Sequence, residues 1–250
     1  MNIAITFNVF TVWAVAAMGL VTAYQIVHLS GRAPEDRSFA LFWLLFACLW
    51  FFAGLRQVFH YLGNSDMDLA IFIVVQVFLA LHLIPALYFL SRRVFGKTGL
   101  TRMITIYAGL GGLLFLIFLA IDGVKFREAT EFGSEWQLST RTFIAFGCVF
   151  VAAVLMTVSD LILWGWRRIR GLDRSDTEYA LIVLSIMIYE TVGVADAKGL
   201  TAEWWMLAGR GLMLISALIA YFCYSWTSTQ LIVVSKEVDQ QMDVEGNENA

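Results

Sequence analysis

Apolar runs long enough to cross a lipid bilayer alternate with short polar connections along most of the chain. A membrane-spanning helix needs roughly 20 apolar residues, because each residue advances the helix by about 1.5 Å. Seven runs approach that length, at about 5–29, 39–62, 69–91, 103–123, 142–166, 179–196 and 204–228. The pattern predicts an all-α polytopic membrane protein, with a seven-transmembrane-helix bundle over 1–230 and a short polar tail over 231–250.

The connections between these runs are too short to hold a soluble domain. The longest, from about Val124 to Arg141, carries five charged residues between its ends: Lys125, Arg127, Glu128, Glu131 and Glu135. We expect a short surface helix there. A β-barrel is not expected, because the alternating apolar pattern of membrane strands is absent from the sequence. The first apolar run lacks a basic leader and a small-residue cleavage site, so we expect it to remain in the membrane.

Basic residues are distributed unequally between the two sides of the predicted bundle. Eleven of the 17 lysines and arginines fall on the first, third and fifth connections and the tail: Arg32, Arg37, Arg92, Arg93, Lys97, Arg102, Arg167, Arg168, Arg170, Arg174 and Lys236. Cytoplasmic connections are enriched in lysine and arginine. This bias predicts an outside N-terminus and a cytoplasmic C-terminus in the plasma membrane, which is the inner membrane in a bacterium.

Composition supports the membrane assignment, since 60% of the residues are hydrophobic and 15% are charged. Soluble domains have about a quarter charged residues. The formal net charge of -3 gives no reason to expect nucleic acid as a partner. The lipid bilayer is therefore the one partner that composition itself predicts.

The three histidines are the first candidates for a haem or metal site in such a bundle. Counting along the helices places His28, His60 and His82 at three different depths, whereas metal ligands must converge on one ion. We therefore expect no metal and no cofactor, with His82 acting as a hydrogen-bonded packing residue. Lys198 lies in the turn before the last helix, which is the wrong depth for a retinal Schiff base.

Strong polar groups recur within the outer half of several predicted helices, and we call this set the outer belt: Arg56, His60, Gln76, Glu190 and Arg210. Depth counting places Arg56, Gln76, Glu190 and Arg210 roughly 9 to 10 Å below the outer surface. His60 lies one helical turn from Arg56 on the same face. Charges inside a bilayer are costly and usually functional, so these five residues are the predicted ligand-binding site.

Glu190 and Arg210 form a predicted pair within this belt, because they lie at matched depth on helices joined by a short turn. The belt then holds two arginines and one acid. This imbalance favours a small anionic or amphiphilic ligand that compensates the remaining positive charge. The alternative interpretation is that these polar groups only satisfy one another and lock the bundle.

A second feature with two interpretations is an aromatic stripe on the second helix: Phe39, Phe42, Trp43, Phe46, Trp50 and Phe51. Packing and lipid contact are the ordinary explanation, and a flat apolar ligand is the alternative. Asp160, near the inner end of the fifth helix, is expected to pair locally with Arg167 or Arg168.

Three functions fit these features. The leading hypothesis is a receptor-like membrane sensor that takes a small ligand from the outer side and acts through a separate cytoplasmic or membrane protein partner. A small secondary transporter, with Glu190 as a protonatable gate, would use the same belt. In a non-catalytic subunit of a larger membrane complex the belt would serve packing. No catalytic residue is predicted, because nucleophile and metalloenzyme motifs are absent from the sequence.

Overall fold

A computed structural model describes residues 3–30, 34–130, 133–170, 176–197, 207–223 and 225. This part of the chain is 90% helical and contains seven helices. Their bounds are α1 Ile3–Ser30, α2 Pro34–Tyr61, α3 Ser65–Phe95, α4 Gly99–Asp122, α5 Thr140–Ile169, α6 Asp176–Ala197 and α7 Leu207–Cys223. The predicted all-α class is confirmed.

Five of these helices, α1 to α5, are long and apolar enough to cross a bilayer. The apolar stretches of α6 and α7, Ala180–Gly193 and Leu207–Cys223, are shorter. The protein is therefore membrane-like and multi-pass. Seven complete spans and the orientation of the termini stay predictions, and the predicted tail at 231–250 lies outside the described residues.

The aromatic stripe of α2 forms the centre of the main hydrophobic core. Phe39, Phe42, Trp43 and Phe46 are all at most 1% exposed. Their rings pack against α3 and α6, as in the stacked pair of Phe39 and Phe89, whose centroids are 4.3 Å apart. Packing thus explains the buried stripe, and we do not assign it to a flat ligand.

The perimeter of the bundle is apolar, as contact with lipid tails requires. On α4 the exposed large side chains include Met103, Ile106, Leu110 and Ile121, with Ile121 71% exposed. A water-facing helix would carry polar residues at these positions. The apolar surface therefore agrees with a lipid bilayer as the surrounding medium.

Helices α1 and α2 approach closely at Gly54, and this contact leads to a prediction. A Cβ atom at Gly54 would overlap the ring of Trp13, whose Nε1 donates to the carbonyl of Phe51 at 3.2 Å. We expect Gly54→Ala to displace Trp13 and to lower the free energy of unfolding by about 1 to 3 kcal/mol. Thermal unfolding in detergent measures this loss.

The matched control is Gly109→Ala on α4, where an added Cβ meets no atom within 4 Å. Alanine is the better helix former, so this variant should be neutral or slightly more stable. Equal losses at Gly54 and Gly109 would contradict close packing as the cause.

The connection between α4 and α5 is a β-hairpin, so the predicted short surface helix is wrong. Strands β1 Val124–Thr130 and β2 Gly133–Leu138 pair antiparallel, with Phe126 opposite Trp136. Their rings meet edge-on at 5.3 Å, and the Trp136 ring lies 6.3 Å from that of Phe72 on α3. Alternate residues such as Ser134, Trp136 and Leu138 share one face of β2, and this period of two was the overlooked signal.

Candidate functional site

Arg56 of the outer belt lies in a charged cluster that joins α2, α3 and the hairpin. Its Nε donates to Oδ1 of Asp68 at 3.0 Å, and its Nη2 donates to the carbonyl of Ser134 and, at 3.1 Å, to its hydroxyl. The guanidinium carbon lies 5.2 Å from the centroid of the Phe72 ring. We call the group of Arg56, Asp68, Ser134 and Trp136 the hairpin clasp.

Asp68 is the centre of the hairpin clasp and was missed by the sequence analysis. It is 2% exposed and accepts hydrogen bonds from Arg56, from the Ser134 hydroxyl and, at 3.0 Å, from Nε1 of Trp136. The carboxylate neutralises Arg56. The sequence-based charge count of two arginines and one acid therefore left out Asp68. With Asp68 included, the outer belt has no excess positive charge.

His60 and Gln76 lie near the clasp but at different depths. His60 is half-buried in the last turn of α2, one turn beyond Arg56. Gln76 is 7% exposed on α3, and its Oε1 is buried without a hydrogen-bond partner. Eight residues separate Gln76 from Asp68, which places Gln76 about 12 Å deeper in the bundle.

Glu190 lies in the middle of the bundle, where α3, α5 and α6 meet. It is 4% exposed, and Oε1 accepts a hydrogen bond from the fully buried Thr157 hydroxyl at 3.1 Å. The neighbouring Tyr189 shares a hydrogen bond with Nε2 of His82. His82 is 0% exposed and also contacts the Phe78 carbonyl, which confirms it as a hydrogen-bonded packing histidine.

The structure does not bring Arg56 and Glu190 together. Asp68, which contacts Arg56, lies 14 residues before His82 on α3, and His82 contacts the residue beside Glu190. Fourteen residues of helix span about 21 Å. The outer belt is therefore divided into the hairpin clasp near the turn between α2 and α3 and a central group around Glu190.

Arg210 is expected at the level of Glu190, as the matched-depth argument predicts. The Ser216 hydroxyl of α7 donates to the Ser185 carbonyl of α6 at 2.6 Å. Glu190 lies five residues after Ser185 on α6. Arg210 lies six residues before Ser216 on α7. On antiparallel helices these steps lead to the same end and differ by about 1.5 Å. The coupling of the two residues stays a prediction.

Glu190 also lines a cavity between α5 and α6. The cavity has a volume of about 260 Å³ and is bounded by Val154, Val158, Met187, Glu190 and Thr191. Val158 is 38% exposed at the perimeter, and Thr191 is also exposed there. The wall is largely apolar, and Glu190 is the one ionisable residue among its described lining residues.

Two further charged pairs at the opposite end of the bundle were not anticipated. Asp160 of α5 accepts from Nε of Arg93 on α3, so the expected local pair with Arg167 or Arg168 is not what the structure shows. Glu35 accepts from Nη2 of the neighbouring Arg92. Each pair joins two different helices, across 67 residues of chain for Arg93 and Asp160 and 57 for Arg92 and Glu35, so a search along one helix could not find it.

Among the described residues, no group of three or more histidine, cysteine, aspartate or glutamate side chains could hold a metal ion. Lys198, the lysine considered for retinal, lies outside the described residues. The expected absence of haem, zinc and retinal therefore stays a prediction.

These features define a mainly helical, multi-pass membrane protein with a buried carboxyl group beside a lateral cavity. No protein-family model, curated protein or solved structure matches the chain. Its function must be inferred from its own side chains.

Proposed function

We propose that this protein is a receptor-like membrane sensor that binds a small amphiphilic ligand in the cavity between α5 and α6. The observation that carries the proposal is Glu190, a carboxyl group that is 4% exposed and lines an otherwise largely apolar cavity. A buried ionisable group inside a membrane bundle is costly and is a functional candidate by default. Ligand pockets typically combine apolar walls with a few polar groups of this kind.

The shape and lining of the cavity favour a small amphiphile. Its volume of about 260 Å³ lies just below the roughly 300 to 1,000 Å³ of pockets for drug-sized ligands. Val154, Val158 and Met187 suit a hydrocarbon chain, and Glu190 suits a head group that donates a hydrogen bond. Because the rim lies on the perimeter of the bundle, such a ligand would enter from the lipid phase.

The charges of the described residues favour a neutral or cationic head group over an anionic one. The anionic alternative rested on an arginine without a counter-ion, and Asp68 supplies that counter-ion to Arg56. At the level of the cavity, the one acidic residue Glu190 is balanced by one basic residue, Arg210, which is expected at the same depth. An anion beside Glu190 would meet a like charge or require a proton on the carboxyl group.

The contacts of α6 could transmit a movement from the cavity to the core of the bundle. Tyr189, the residue before Glu190, is hydrogen-bonded to His82 of α3 and packs edge-on against Phe42 and Phe46 of α2. Small helix shifts of 1 to 2 Å are a common switching motion in proteins. We propose that ligand binding shifts α6 and thereby α3, and that a separate protein partner senses the inner end of α3.

The proposal is tested with three ten-carbon amphiphiles, decylamine, decanol and decanoate, added to the protein in lipid nanodiscs. We expect decylamine and decanol to raise the melting temperature by about 3 to 6 °C at ten times Kd, and decanoate to have less effect. Val158→Trp, which fills the rim, should abolish the increase. Ile144→Trp is the control, because Ile144 is exposed on α5 and does not line the cavity.

Glu190→Gln should remove the difference between decylamine and decanoate while retaining the cavity. Equal responses of the Val158 and Ile144 variants would contradict binding in this cavity. Proton uptake by proteoliposomes that is lost in Glu190→Gln would instead favour the transporter, with Glu190 as the proton carrier.

A further inference from the structure

A second site candidate lies at the other end of the bundle, in a groove between the start of α2, the end of α3 and the start of α4. The groove has a volume of about 460 Å³. Three of its lining residues are basic: Arg92, Lys97 and Arg102. The other described lining residues with polar side chains carry hydroxyl groups: Tyr88, Thr98, Thr101 and Thr105.

Arg92 provides the observation that points to a ligand. The residue is 9% exposed, and its Nη2 donates to Glu35. Its Nε is buried without a hydrogen-bond partner, although the side chain lines the groove. A buried donor without an acceptor is unfavourable, so an acceptor in the groove would stabilise the guanidinium once it turns toward the groove.

The turn between α3 and α4 holds the groove in a defined shape. Gly96 has φ of +66°, a conformation that favours glycine, and the Thr101 hydroxyl donates to its carbonyl at 2.8 Å. Thr98 caps α4 by accepting from the Thr101 amide at 3.4 Å. The first turn of a helix leaves backbone N–H groups without helical partners and carries partial positive charge.

The charges of the groove select an anion. Glu35 neutralises one of the three basic residues, and Lys97 and Arg102 are exposed at the rim. Arginine, lysine and the start of a helix are the groups that proteins use to bind phosphate. Ile106, which is 52% exposed, continues the groove onto the lipid-facing surface of α4.

We propose that this groove, bounded by Arg92, Lys97, Arg102 and the start of α4, binds a phosphate ester, carried either by an anionic phospholipid or by a soluble molecule. On binding, the Arg92 guanidinium turns so that Nε donates to one phosphate oxygen, and Lys97 and Arg102 contact the others. The site is independent of the cavity at Glu190.

The test measures Kd for phosphatidylglycerol by native mass spectrometry of the full-length protein in detergent. We expect the double variant Lys97→Gln/Arg102→Gln to weaken binding at least roughly tenfold, because each basic residue near an anionic lipid contributes about a fivefold factor. Both side chains are exposed, so the variant should fold. Arg167→Gln/Arg168→Gln is the control, since it removes two exposed charges from the end of α5.

Arg92→Lys retains the charge and the possibility of pairing with Glu35 but lacks the Nε donor. We expect it to weaken binding by about three- to tenfold. Competition by millimolar glycerol 3-phosphate would support the site and identify a soluble ester as the source. Binding of phosphatidylglycerol without such competition would support a lipid source. Equal losses in the double variant and the control, or no loss in either, would overturn the proposal.

Discussion

Glu190→Gln and Arg210→Gln should each lower the free energy of unfolding by about 3 to 5 kcal/mol, and the double variant should lose clearly less than their sum. The reason is that we expect the two residues at nearly the same level, counting along α6 and α7 from the Ser185–Ser216 hydrogen bond. Removing one of two paired charges in a bundle leaves the other buried without compensation. Chemical unfolding of the three variants in detergent provides the coupling energy.

The control is a second double-mutant cycle on Arg127 and Glu135 of the hairpin, whose charged atoms are 3.4 Å apart. Their side chains are 57% and 26% exposed, so solvent screens the pair and we expect a coupling of at most about 1 kcal/mol. Additive losses for Glu190 and Arg210 would show that the residues do not interact.

Ligand response separates the functional interpretation of this pair from the packing interpretation. Strong coupling in stability with a normal response to decylamine would mean that the pair only locks the bundle. Strong coupling together with a lost response is the result that the sensor hypothesis requires.

Asp68→Asn should lower the free energy of unfolding by about 3 to 5 kcal/mol and release the hairpin from α3. The carboxylate accepts from the three donors of Arg56, Ser134 and Trp136, whereas asparagine offers one acceptor oxygen and adds an NH₂ group among donors. The substitution also leaves the Arg56 charge without its counter-ion. Amide hydrogen exchange of residues 124–138, measured by mass spectrometry, should become faster.

Glu135→Gln is the control on the same hairpin, because it removes a carboxylate from an exposed ion pair. We expect its melting temperature and its hydrogen exchange to stay close to those of the unmodified protein. If Asp68→Asn behaved in the same way, the hairpin clasp would not be what holds the hairpin on the bundle.

The helical class and the number of helices could be predicted from the sequence, but the helix ends could not. Hydropathy placed the third helix at about 69–91, whereas α3 is Ser65–Phe95. Its polar first turn is stabilised by Asn64, whose side chain accepts from the Met67 amide at 3.1 Å. The error had a consequence for the site, because Asp68 lies in that turn and was left out of the charge count.

Depth counting failed for Arg56 and Glu190, whereas the matched depth of Glu190 and Arg210 stays a prediction. Glu190 and Arg210 were counted from one shared turn. Arg56 and Glu190 were measured from different turns, on helices of 28 and 22 residues. Helix ends do not lie in a common plane, so residues counted from different ends need not lie at one depth.

The sequence by itself determined that this chain forms apolar helices in a membrane. Each apolar run satisfies its own backbone hydrogen bonds inside the bilayer, which makes helix formation a local property. The partners of the polar side chains were decided only by the tertiary structure. Arg93 meets Asp160 and Ser134 meets Asp68 across 67 and 66 residues of chain. Such contacts depend on how each helix is rotated about its axis and shifted along it relative to its neighbours. The sequence of one helix does not specify either.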